Sequence, residues 1–395
     1  MGSPPKALDF SLISVAEIPQ SGKDRVAKLL DSGNLFRYGE GRDSAVAQFE
    51  REFADFFGKK YAIAVNSGGS ALFISLKAAG AKSGDIVMLN AFTLAPVPSA
   101  IEHCSCETIL LDTTADLVVD IESLKHAIET TGAKFLLLSY MRGHIPNMDE
   151  IMQVVKDNDL TLIEDCAHVM GAKWKNHDMG TLGDVSCFSL QSFKQVNGGE
   201  GGVILCDDED IAAKAILMSG SYMLYEQHSA RPSSEVFDKW VGTTPNFSMR
   251  LNEISAALVS SQLPTLREKI AAWNNVYGQI ASGIQEISSL SLPNISPHLQ
   301  PAPTSIQFFC SHDEDDIRTT LDTAKSLNLN IKWFGDSQAR GFTSNHHHWN
   351  YLPRQEMKNT DAVMKGLLDI RLPSDLSEQQ CKDIIAILRY SFQPS

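Results

Sequence analysis

Two short stretches of the chain carry residues whose types and spacing suit covalent chemistry. In the first, Lys194 follows the apolar run Cys187–Leu190 and precedes the glycine cluster Gly198-Gly-Glu-Gly-Gly202. Glycines let a backbone approach a ligand closely or take positive φ. A lysine condenses with an aldehyde once burial or a cationic neighbour lowers its pKa. Alone, a lysine beside a glycine turn is more often part of a surface turn. The second stretch is Leu160-Thr-Leu-Ile-Glu-Asp165-Cys-Ala-His168, an apolar run that ends in an acid. An acid at the C-terminal end of a buried parallel strand faces the ligand crevice. There Asp165 could keep a pyridine nitrogen protonated, which pyridoxal chemistry needs if the ring is to act as an electron sink. The competing reading makes Asp165 the cap of a following helix. A third stretch, Asn66-Ser-Gly-Gly-Ser70, joins the run Tyr61–Val65 to a helix-like segment, Ala71–Ala79. Backbone N–H groups and hydroxyls in such a turn suit a phosphate monoester; an ordinary serine-capped turn looks the same.

These side chains need a scaffold that brings distant strand ends together. Beyond Tyr61–Val65, strand-like runs occur at Ile86–Leu89, Thr108–Leu111, Phe135–Leu138, Leu160–Ile163, Ser186–Leu190 and Gly202–Leu205. Helical patterns such as Ile121–Thr130 and Asp149–Asn158 lie between them. This alternation predicts an α/β fold with a mostly parallel sheet flanked by helices. Met249–Ala281 reads as helical, with a break at Pro264. A loop with Pro293, Pro297, Pro301 and Pro303 follows, and the remainder reads as a smaller α+β domain. The expected division is a large ligand-binding domain over 1–265, and a long helix with a small C-terminal domain over 266–395.

Composition narrows the classes. The chain has 395 residues, 43% of them hydrophobic, and a formal charge of −14. Such a charge argues against nucleic-acid or anionic-membrane partners, which need compensating Lys and Arg. No apolar run reaches the ~20 residues of a membrane span. The start, MGSPPKALDF, shows no apolar core after a basic segment, so a cytoplasmic protein is expected. Seven scattered cysteines without framework spacing read as reduced thiols. His346-His-His348 suggests metal, yet adjacent histidines on a strand point to opposite faces, so no metal site is expected and pocket lining is preferred.

In order along the chain occur Tyr38-Gly-Glu-Gly41, Val65-Asn-Ser-Gly-Gly-Ser-Ala-Leu72, Arg142-Gly143, Asn147-Met-Asp149, Ile163-Glu-Asp-Cys-Ala-His168, Gly180-Thr-Leu-Gly-Asp184, Phe188-Ser189, Lys194, Gly199-Glu-Gly-Gly202 and Asn246-Phe-Ser-Met-Arg250-Leu-Asn-Glu253. With these motifs the chain resembles the DegT/DnrJ/EryC1/StrS family of pyridoxal-phosphate-dependent sugar aminotransferases, from about Phe36 to about Leu266. The resemblance implies fold-type I architecture and pyridoxal 5'-phosphate held as a Schiff base on Lys194. It implies Asp165 at the pyridinium, His168 near the phenolic oxygen, and Gly69, Ser70 and Ser189 at the phosphate. Asn246 would reach the phosphate of a neighbouring subunit, giving a homodimer with shared active sites. Three departures stand out: Gly69-Ser70 replaces a usual Gly-Thr, Leu94 falls where an aromatic ring commonly stacks, and Tyr140 replaces a histidine.

Shorter segments, Gly33–Gly41, Met141–Gly143, Ser192–Lys194 and Trp333 with His348-Trp349, resemble the branch that aminates 8-oxo-3,8-dideoxy-manno-octulosonate with glutamate, a step of lipopolysaccharide sugar synthesis. That acceptor carries a carboxylate, for which Arg37 or Arg250 is the expected partner, with His348 and Trp349 lining the pocket. A nucleotide-linked keto-hexose or a keto-inositol is the alternative acceptor. Two rival classes are a sugar dehydratase, in which histidine would replace Lys194, and a non-catalytic cofactor-binding sensor, which usually carries an attached DNA-binding module.

Overall fold

The computed structural model describes residues 3–13, 15, 17–39, 41–339 and 344–392, so Glu40 of the Tyr38–Gly41 motif lies outside the described residues. Seven strands form the main sheet: β1 (Tyr61–Val65), β2 (Ile86–Asn90), β3 (Glu107–Leu111), β4 (Phe135–Ser139), β5 (Thr161–Asp165), β6 (Val185–Ser189) and β7 (Gly202–Cys206). Their order is β1-β7-β6-β5-β4-β2-β3. All neighbours run parallel except β7, which is antiparallel to both β1 and β6. Both faces are covered, so the strands are apolar at nearly every position, as buried parallel strands must be. Alternate residues enter opposite layers: Ala62, Leu136, Leu162 and Phe188 pack on one side, and Ile63, Leu137, Ile163 and Cys187 on the other.

The register decides where the candidate residues go. Asp165 pairs with Ser139 on one side and Cys187 on the other, while Gly202 pairs with Ser189 and Val65. The ends of β1, β4, β5 and β6 and the start of β7 therefore share one edge of the sheet. The period of two also separates the consecutive acids of β5. Glu164 points into the Leu162 layer, where it accepts hydrogen bonds from Tyr140 Oη (2.8 Å), Leu182 N (3.0 Å) and Gly183 N (2.7 Å). Tyr140 thus anchors a structural acid, and Asp165 is left to the opposite face.

A second sheet of four strands, in the order β8-β9-β11-β10, contains β8 (Leu290–Ser291), β9 (Ser305–Cys310), β10 (Lys332–Trp333) and β11 (Leu367–Arg371). Two helices, α1 (Leu266–Gln285) and α2 (Glu378–Ser391), pack on it through Ile280, Ile284, Ile384 and Leu388. The helical pattern over Met249–Ala281 is divided: Glu253–Ser260 is one helix, a single 3₁₀ turn holds Pro264, and α1 follows. Near the N-terminus, Leu8 and Leu12 join the core of the second sheet, and Leu8 N donates to Leu327 O at 3.0 Å. All seven cysteines are free and buried. No helix among the described residues is long and apolar enough to cross a membrane.

Candidate active site

A cavity of about 1350 Å³ opens between the strand ends of the main sheet and the second sheet, with residues 8–13 along one side. Lys194, Asp165, His168, Ser189, Gly69 and Leu94 all line it. Asp165 is fixed by a relay of hydroxyls. Thr93 Oγ1 donates to Ser139 Oγ (2.7 Å), which donates to Asp165 Oδ2 (2.7 Å), while Ala167 N donates to Oδ1 (3.2 Å). Asn90 accepts from Ser139 N (2.8 Å) and so holds the relay in register. No helix follows Asp165; the chain turns at once, so the helix-cap reading fails. Burial raises the Asp165 carboxyl above the usual range, against the pull of Ser139, Ala167 and Lys194. A cation placed beside it would reverse that shift.

Lys194 comes from the turn after β6. Gly198 N donates to Leu190 O (2.8 Å) and Leu190 N to Gly201 O (2.9 Å), closing the turn on itself. The glycines serve this packing. A Cβ on Gly198 would sit 3.1 Å from Leu190 O, and one on Gly202 only 2.3 Å from Ser67 O. Gly202 thereby presses β7 onto the Ser67–Gly69 turn. Lys194 Nζ lies 3.1 Å from His168 Nε2. Burial, helped by the positive charge of Arg142 and Arg371, brings the Lys194 ammonium down to about 7, although Asp165 opposes the change. His168 is held well below its ordinary value by burial and then by Lys194, so it is neutral and its Nε2 can accept. His168 Nδ1 has no hydrogen-bond partner among the described residues.

The helix Gly68–Ala78 begins at the cavity wall, with Ser67 as N-cap accepting from Ser70 N at 3.0 Å. Its first N–H groups have no partner within the helix, and an anion is favoured there. Gly68 and Gly69 line the cavity, with Ser189 across from them. Ser70 does not line it. Its hydroxyl donates to Asn66 Oδ1 (2.6 Å) and braces the turn.

Other expected site residues stand away from this cavity. Arg37 is enclosed away from the cavity, donating to Glu50 Oε2 at 2.7 Å with both side chains at most 2% exposed. Trp349 is buried in the layer that holds Ile63, Leu137 and Ile163, and His348 Nε2 lies 3.1 Å from Ser337 O; neither lines the cavity. Asn246 and Arg250 do not reach the cavity of their own chain. Arg250 donates to Gly220 O (2.9 Å) and lies over the Phe36 and Tyr222 rings. The histidine tract is a 3₁₀ turn, not a strand, because Asn345 caps it by accepting from His347 N. Both His346 and His347 therefore reach the same oxygen of Asp361, at 2.8 and 2.7 Å. The sequence reading missed Arg142, Lys332, Asp369 and Arg371 as cavity residues. Only Arg142 carried a signal, as part of the Arg142-Gly143 motif.

A buried near-neutral amine, a buried acid, an anion seat at a helix start and an orphaned ring nitrogen make a donor set that fits pyridoxal phosphate. The family model for DegT/DnrJ/EryC1/StrS aminotransferases matches residues 17–389. The chain belongs to this family. It is an aminotransferase of fold type I, and its cofactor is pyridoxal phosphate. Among family relatives, GDP-perosamine synthase of Caulobacter vibrioides is 31% identical, covering 74% of each chain. The SpsC spore coat polysaccharide biosynthesis protein of Bacillus subtilis is also 31% identical, covering 70% of each. The crystal structure of 3-amino-5-hydroxybenzoic acid synthase superposes with a TM-score of 0.83 at 23% identity, covering 98% of this chain and 99% of that one. An E. coli GDP-4-keto-6-deoxy-D-mannose-3-dehydratase with bound hydrated cofactor gives 0.82 at 21% identity, covering 97% and 100%. These two likenesses establish the fold.

Only a neutral amine adds to an aldehyde, so the position of the Lys194 titration sets a measurable pH dependence. The rate at which pyridoxal phosphate bonds to the apoprotein should rise with pH through an inflection near the Lys194 value of about 7. Stopped-flow absorbance measures it; an inflection near the ordinary lysine value of about 10 would contradict the site's electrostatics.

Proposed function

We propose that this aminotransferase moves an amino group from glutamate to the aldehyde of 8-oxo-3,8-dideoxy-manno-octulosonate, giving 8-amino-3,8-dideoxy-manno-octulosonate for lipopolysaccharide, in the cytoplasm. The observation that carries the reaction is Lys194 Nζ, a buried amine with a pKa of about 7 in the same cavity as Asp165. Bound there, pyridoxal phosphate supplies an electron sink for the carbon that bears the exchanged amine. Lys194 would hold the cofactor through its aldehyde carbon, and its Nζ would serve as general base and then acid for the proton on the donor's α-carbon. Asp165, kept in place by Ser139, would hold the proton at the ring nitrogen. Neutral His168 would serve the ring oxygen, Gly69 N and Ser189 Oγ the phosphate, and Leu94, also on the cavity wall, the ring. The second sheet and residues 8–13 exclude water from the exchange. Donor and acceptor enter in turn, so the kinetics are ping-pong.

The acceptor assignment is supported by the segments that resemble the octulosonate branch. One of them, Met141–Gly143, brings the cation Arg142 to the cavity wall. The segment with His348 and Trp349 gives no such support, because it lies away from the cavity. A nucleotide-linked keto-hexose is the second reading, favoured by the 31% identity to GDP-perosamine synthase.

The working unit of this reading is a homodimer with shared sites. Asn246 and Arg250 stand apart from their own cavity, beside the exposed apolar side chains Phe36 (49%), Tyr222 (55%) and Met223 (82%). An apolar patch of this kind is what a subunit interface covers, and it would carry Asn246 to the partner's phosphate.

Purified protein with glutamate should release oxoglutarate with the 8-oxo octulosonate at a kcat/KM roughly tenfold or more above that for a GDP-linked keto-hexose or a keto-inositol, a difference of ~1.4 kcal/mol. The reverse order would overturn the acceptor. Lys194→Ala and Asn246→Ala chains should each be impaired alone and regain turnover when co-expressed, because the hybrid dimer rebuilds one intact site. Co-expression that restores nothing would remove the shared-site dimer.

A further inference from the structure

The histidine tract and Asp361 make a group that the transamination does not use. His346 Nε2 lies 2.8 Å and His347 Nε2 2.7 Å from Asp361 Oδ1. The three donor atoms all lie within 4.8 Å of one another. None of these residues lines the active-site cavity. Successive residues of a 3₁₀ turn leave its axis about 120° apart. Here the two rings close that angle, with centroids 4.0 Å apart and planes inclined by 38°. Both imidazoles therefore present the same nitrogen to one carboxylate.

Each wall of the group is fixed by contacts of its own. Asn345 Oδ1 accepts from His347 N at 3.0 Å, Trp349 N donates to His346 O at 3.2 Å, and the Trp349 side chain is buried in the core. Across from this turn, Asp361 stands in the first turn of the helix Lys358–Lys365. Asp112, just after β3, holds the start of that helix. Its carboxylate accepts from Asn359 N (3.0 Å), Thr360 N (2.7 Å) and Thr360 Oγ1 (2.7 Å). Between the two walls, Gln355 accepts from Leu110 N (2.8 Å) and donates to Thr108 O (2.9 Å). Because β3 is the last strand of the main sheet, the segment 345–361 covers an edge of that sheet.

The chemistry of the donors selects the ligand. Two imidazole nitrogens and one carboxylate oxygen suit a borderline transition-metal ion, whereas Mg²⁺ and Ca²⁺ take oxygen ligands. Zn²⁺ bonds such atoms at about 2.0–2.2 Å, and a tetrahedral ion then holds them roughly 3.4 Å apart. The present separations of 2.7 and 2.8 Å need to widen by only about 0.6 Å. We propose that His346, His347 and Asp361 form a Zn²⁺ site, separate from the active-site cavity, that clips the segment 345–361 onto the edge of the main sheet. Each neutral imidazole moves its proton from Nε2 to Nδ1, so that the Nε2 lone pair faces the ion. The His346 side chain is 2% exposed, whereas His347 and Asp361 are 44% and 43% exposed, so the fourth position faces solvent and takes a water. The ligands stand 14 and 15 residues apart in the chain. An ion that joins them in the folded state alone closes this loop and stabilises the fold.

The test is a calorimetric titration of tag-free holoenzyme, stripped with a chelator, with Zn²⁺ alone and with Mg²⁺ for comparison. The wild-type chain should take up one Zn²⁺ and no Mg²⁺. His347→Ala and Asp361→Asn should each weaken Zn²⁺ binding by about tenfold to a hundredfold or more. His348→Ala should leave it unchanged, because that ring meets Ser337 O instead. The midpoint of thermal unfolding should rise by a few degrees with Zn²⁺ in the wild type and in His348→Ala, and stay fixed in the other two. Absorbance of the bound cofactor shows that each variant has folded, and His347→Gln is a second variant at that position. Zn²⁺ binding that keeps full strength in His347→Ala or Asp361→Asn would overturn the site, as would a loss in His348→Ala equal to that in His347→Ala. Wild-type protein that takes up no Zn²⁺ would overturn it outright, and uptake with no rise in the midpoint would overturn the clip.

Discussion

The carboxylate of Asp165 is buried at the end of a central strand, where loss of water opposes its charge. It is kept there by donors that cannot turn away: Ser139 Oγ, itself held by Thr93 and Asn90, and the Ala167 N–H. An acid so placed gains from a cationic partner, and a protonated pyridine nitrogen is such a partner. The rest of the site follows from the strand pairing that sets this acid on the edge of the sheet. The same pairing brings Ser189 beside Gly202, and Gly202 against the Ser67–Gly69 turn. A slip of one residue in β5 would exchange Asp165 with Glu164 and send the acid into the opposite layer. Glu164 guards against that slip, since its bonds to Tyr140 and to the 182–183 backbone exist only in the observed register.

Charge inside the cavity is arranged in two zones. Around Asp165 one buried acid awaits a cation. Around Arg371 and Lys332 positive charge exceeds negative, with Arg142 lowering both and Asp369 opposing it. Lys194 lies between the two influences, with Asp165 raising its pKa, Arg142 and Arg371 lowering it, and burial deciding the balance. A net charge of −14 for the whole chain gives no hint of this local excess, because acids dominate the exposed surface and the cations of the cavity are few.

The sheet, its mostly parallel order and the residues at its strand ends were legible in the sequence. They depend on local alternation of apolar runs with helical patterns, and on residue types directly beside them. Tyr61–Val65 is a strand over the span expected, and Lys194, Asp165 and His168 meet in one cavity. Features set by distant contacts were not legible. Arg37 stands beside a motif and looks available, but Glu50, on a neighbouring helix, encloses it. Ser70 looks free in the sequence, but its hydroxyl donates to Asn66. The histidine tract was read with strand geometry, whereas Asn345 turns it into one 3₁₀ turn aimed at Asp361. Lys332 and Arg371 come from the second sheet, and nothing near them in the sequence marks them as cavity residues.

The account stands on one covalent attachment, and that attachment can be read directly. Holoenzyme reduced with borohydride, digested and mapped by mass spectrometry should carry the phosphopyridoxyl group on the peptide containing Lys194, and a Lys194→Ala chain should carry none. A label on a different lysine, or no label on protein that has been saturated with the cofactor, would contradict it.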